Sequence, residues 1–109
     1  MDMDQDLTKN LRFLRETERS IRISNNEVIG KFVPPITAER MLSFSVAVSK
    51  FRADYINAAF KFADATHPEG IEGTAEIEEL VLCRRRFEEA RDAFIALERT
   101  IEMGYINVE

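Results

Sequence analysis

One cysteine, Cys83, carries all the thiol chemistry of this 109-residue chain. A lone cysteine excludes an internal disulfide and a metal site built from several cysteines. Histidine is as scarce: His67 is the single one, and it precedes Pro68 in a stretch that breaks helices. A nucleophilic Cys83 would need an activating base, yet its place on a helical seam puts it about four turns from His67. Bundles that hold paired metals draw on Glu-x-x-His motifs. The nearest pattern here, Glu76-x-x-Glu79, has no helical histidine beside it. No run approaches the ~20 apolar residues that span a bilayer, and no glycine-rich loop follows a strand to cradle phosphate. The residues therefore point to no catalytic, cofactor or metal site, and to no enzyme.

What is present describes a folded helical chain. Apolar residues make up 45% and charged residues 32%, a globular balance rather than a disordered one. The length fits a single domain over 1–109, at which size roughly 60–70% of the unfolded surface can be buried. The net charge of −5 argues against indiscriminate binding of nucleic acid or an anionic membrane by the whole surface. The opening MDMDQD is acidic and polar, the opposite of a secretory leader, so a cytoplasmic protein is expected.

Three segments carry helical periodicity. In the first, about 4–23, Leu7, Leu11, Leu14 and Ile21 share a face, and Asp4 and Asp6 suit the positive end of the helix dipole. The polar cluster Ser24-Asn25-Asn26 reads as its end. Residues 27–36 follow as a non-helical connection, because Gly30, Pro34 and Pro35 oppose a helix while Val28, Ile29, Phe32 and Val33 call for packing. The second helix spans about 37–65 with Thr37 as its N-cap. A turn over 66–73, with Pro68, Gly70 and Gly73, leads to a third helix over about 74–103, which Gly104 caps. Its seam is Leu80, Cys83, Phe87, Ala90, Phe94, Leu97 and Ile101. The expected architecture is all-α: a long antiparallel hairpin preceded by an N-terminal helix.

The second helix has too much apolar surface for a small monomer. Met41, Phe44, Val48, Phe51, Tyr55, Ala58 and Phe62 form one row at steps of three and four. Leu42, Val46, Ser49, Ala53, Ile56, Phe60 and Ala63 form another beside it. Together they make a face of roughly 240°, against ~100° for a surface helix. A second copy is the economical cover, so a homodimeric bundle is expected, with Phe44, Val48, Phe51, Tyr55, Ile56, Phe60 and Arg52 at the interface. Arg52 interrupts the apolar run between the two rows. A guanidinium there needs a partner: Glu88, with which it is level in the hairpin, an acid of the first helix or of the mate, or an anionic ligand.

Charge is unevenly spread. Arg12, Arg15, Arg19 and Arg22 line up as a stripe on the first helix, a candidate surface for another protein or, alternatively, for nucleic-acid phosphates. No lysine or arginine interrupts residues 63–83, where Glu72, Glu76 and Glu79 belong to an acidic cap that could meet a basic partner. Arg84 and Arg85 precede Glu88 and Glu89 by four residues, the spacing of a solvated salt-bridge face. The functional expectation is a non-enzymatic interaction module, a small adaptor, regulator or inhibitor working through helical surfaces. The alternatives are a nucleic-acid-binding regulator and a bundle holding a small apolar ligand among Phe44, Phe51, Phe87 and Phe94.

Overall fold

The computed structural model describes residues 2–65 and 74–109. Three helices appear in order: α1 over Met3–Phe32, α2 over Ala38–Ala65 and α3 over Thr74–Glu102. The expected turn at 66–73, with His67 and Glu72 in it, lies outside the described residues. None of the described helices is long and apolar enough to cross a membrane. The chain falls into two compact units, Met1–Thr37 with Arg99–Glu109, and Ala38–Glu98.

In the second of these units α2 and α3 form the expected antiparallel pair. Phe44 meets Phe94 with ring centroids 5.4 Å apart, and Tyr55 meets Phe87 at 5.9 Å. Higher numbers on α2 thus meet lower numbers on α3. Val48, Ala58, Cys83 and Phe87 are the buried residues of this pair. The rest of the α3 seam is at least half-buried from Leu80 to Leu97.

In the other unit, α1 is longer than its sequence suggests. It does not stop near residue 23 but continues through Ser24-Asn25-Asn26 and Gly30 to Phe32. The non-helical connection is therefore short, from Val33 to Thr37, rather than 27–36. Two side chains explain the difference. Asn25 turns its amide back onto the Ile21 carbonyl at 2.9 Å, the i−4 bond that lets a polar residue stay within a helix. Asn26 donates to the Gly104 carbonyl and to Asn107 Oδ1, both at 3.1 Å, so the C-terminal segment holds that turn in place. Pro34 then ends the helix by steering Val33 into extended backbone, φ −122° and ψ 122°. At the other end Asp2 caps it, its carboxylate accepting from the Asp4 amide at 3.2 Å.

The chain after α3 closes this unit. Gly104 takes φ +73°, which glycine adopts without strain. Its amide reaches the Ile101 carbonyl at 3.0 Å, and the Tyr105 amide reaches Thr100 at 3.0 Å, the paired bonds of a Schellman cap. The segment then pairs with the residue after the double proline in one parallel bridge, Ile36 to Val108. The Ile36 amide donates to Asn107, and the Glu109 amide to Ile36. Ile36 and Ile106 are buried there.

Candidate interaction surface

The two apolar rows of α2 have different fates. Every member of the first, Met41 to Phe62, is buried or half-buried. Every member of the second, Leu42 to Ala63, is exposed. Leu42 keeps 65% of its surface, Ile56 50% and Phe60 66%. The rows sit side by side on one helix, so only one of them can face α3. Where the bare row meets the α3 edge, Tyr55, Ile56, Ala59, Phe60, Ala63 and Leu80 line an open groove of about 400 Å³.

The residues expected at an interface divide along the same boundary. Phe44 and Tyr55 spend their rings on Phe94 and Phe87 within the chain. Val48 is buried and Phe51 half-buried, whereas Ile56 and Phe60 stay exposed. Leu42 and Val46 belong with these last two; their row membership is legible in the sequence, and their exposure is not. Of the phenylalanines expected to line a ligand space, Phe44 packs against Phe94 at a 56° tilt and Phe87 against Tyr55.

Arg52 is level with Phe87, as the hairpin register requires, but its partner is the ring rather than Glu88. Its guanidinium carbon lies 5.1 Å from the Phe87 centroid, and that of Arg91 lies 5.4 Å from the same centroid. Among the described residues no carboxylate comes within ion-pair distance of Arg52. An exposed guanidinium keeps its hydration on one side and uses the aromatic quadrupole on the other, so it needs no carboxylate. Arg91 also bonds Asp92 at 3.1 Å. Arg84 and Arg85 close no ion pair with Glu88 or Glu89 among the described residues, since exposed pairs gain little from being held together.

Cys83 is buried, with Sγ 3.4 Å from Glu79 Oε1. Burial pushes its thiol pKa above the ordinary 9.0; the hydrogen bond to Glu79 and the negative charges of Glu79 and Asp54 add to the rise, against a smaller opposing effect of Arg86. A thiol so placed is the reverse of an activated nucleophile. Arg12, Arg15, Arg19 and Arg22 all lie exposed on the continuous α1, and Glu79 is exposed and Glu76 half-buried in the first turns of α3.

No family model, no curated protein and no solved structure matches the chain. The surfaces themselves therefore carry the functional argument.

Proposed function

We propose that this protein is a non-enzymatic protein–protein interaction module, a small adaptor, regulator or inhibitor, that assembles as a homodimer through α2. The observation that carries the reading is the bare second row, Leu42, Val46, Ile56 and Phe60, on a helix whose first row α3 already occupies. Large apolar side chains aligned at helical spacing and left in water are unusual on a monomer, and covering them is the main gain of association. Ser49 and Ala53 lie midway along the row, so a second helix can approach closely there. Arg52 borders the row and remains open to a carboxylate of the mate.

Light scattering with a size standard tests the proposal. The wild-type chain is expected at twice 12.6 kDa, and Ile56→Asp with Phe60→Asp at the single-chain mass with unchanged helicity. A wild-type chain that stays at the single-chain mass across its working concentrations would sink the dimer.

A further inference from the structure

Because α1 continues to Phe32, it presents a pattern that a shorter helix would not have. Leu7, Leu14, Ile21 and Val28 recur every seven residues, and Leu11, Glu18, Asn25 and Phe32 recur every seven between them. Alternation at steps of four and three over about 38 Å is the seam of a coiled coil. The seam is bare: Leu7 keeps 57% of its surface, Leu14 53% and Val28 52%. The C-terminal segment reaches α1 beside the seam, at Arg22 and Asn26, and its Met103 and Tyr105 line a groove with Glu18 and Ile21 of the seam itself.

The residues flanking the seam decide what fits it. On one side stand Thr8, Arg15, Arg22 and Ile29, and on the other Asn10, Thr17, Ser24 and Lys31. They include three cations and no acid. A second copy fits badly in either direction. Parallel and in register, Glu18 of one copy faces Glu18 of the other. Antiparallel with full overlap, Arg15 of one copy lies beside Arg22 of the other. Like charges so placed oppose pairing, whereas acids on the facing flanks favour it.

We infer that the α1 seam binds an amphipathic helix of another protein, one with an apolar heptad core and carboxylates on its flanks. This names a partner class for the interaction reading but uses a different surface from the α2 row. Leu7, Leu14, Ile21 and Val28 bury the partner's core residues, and Arg15, Arg22 and Lys31 meet its acids. Glu18 and Asn25 fix the register by demanding polar core residues opposite them.

The probe is a synthetic helix of about four heptads with leucine at its core positions, asparagine at the two that face Glu18 and Asn25, and glutamate at every flanking position. Its glutamates repel one another, so it depends on a basic partner. The control carries lysine at the flanks. Fluorescence anisotropy with the full chain should show the acidic peptide binding at least about tenfold more tightly than the basic one, and weakening as salt is raised. Leu14→Asp, an exposed position, should abolish binding without changing helicity. Arg15→Glu with Arg22→Glu should reverse the preference between the peptides. Phe60→Asp should leave peptide binding intact, which separates this site from the dimer contact. Equal affinity for the two peptides, no binding of the acidic one, or a self-association that Leu14→Asp dissolves and Phe60→Asp does not, would each overturn the inference.

Discussion

Phe87 is a hub of the second unit in three respects: it is buried, it meets Tyr55, and two guanidinium groups lie over it. Phe87→Ala removes a ring from a thin core and should cost about 3–5 kcal/mol in denaturant titrations. Arg52→Ala should cost only about 0.5–1 kcal/mol, because an exposed cation–π contact contributes no more. A loss of several kcal/mol at Arg52 would mean that it is paired across an assembly. Cys83 gives a pH signature. Its folded-state pKa is raised, so its contribution is fully present below the ordinary 9.0 and is lost as pH rises from there through the folded value. In that window the unfolded chain releases the thiol proton while the folded chain retains it, and stability falls. The profile of Cys83→Ala should lack that decline, so the difference between wild type and variant should be flat below the ordinary 9.0 and fall above it. Native Cys83 should also react slowly with alkylating reagents at neutral pH.

Two glycines of the same fold call for opposite outcomes at the scale of the helix. Gly30 lies within α1, and a Cβ built on it meets nothing within 4 Å. Gly30→Ala should therefore stabilise α1 by about 0.5–1 kcal/mol, read as slower amide exchange around residues 26–32. Gly104 ends α3 at φ +73°, and a Cβ there would sit 3.0 Å from Arg22 Cδ. The Arg22 side chain can move aside, but the backbone conformation cannot change without opening the cap. Gly104→Ala should cost about 1–2 kcal/mol and loosen the pairing of Ile36 with Val108. A neutral result at Gly104 would contradict the cap geometry.

For the whole molecule, the described residues bury no polar or charged side chain, and few apolar ones completely. On the functional reading proposed above, association would draw on the exposed apolar rows of α1 and α2. The acidic balance of the chain, at −5, sets a further expectation for the arginine stripe. A titration against duplex DNA should show no binding even at low ionic strength, because carboxylates elsewhere on the chain oppose the four arginines. Salt-sensitive binding that Arg15→Glu with Arg19→Glu removes would instead assign the stripe to phosphates.

The sequence by itself determined what local periodicity can carry. The limits of α2 and α3, the Gly104 cap and the surplus apolar row of α2 follow from spacing along one helix, and the expected turn at 66–73 adds the antiparallel register that sets Arg52 level with Phe87 and Glu88. Tertiary structure decided three other matters. Which α2 row stays bare depends on the side from which α3 packs. Whether α1 survives Asn25 and Asn26 depends on Gly104 and Asn107, some eighty residues away, accepting hydrogen bonds that no local window contains. The choice of Arg52 between a carboxylate and a ring depends on which groups reach it, and helical spacing gives height along a neighbour without giving contact. Periodicity fixes a residue's angle about its own axis; only packing fixes what lies across from it.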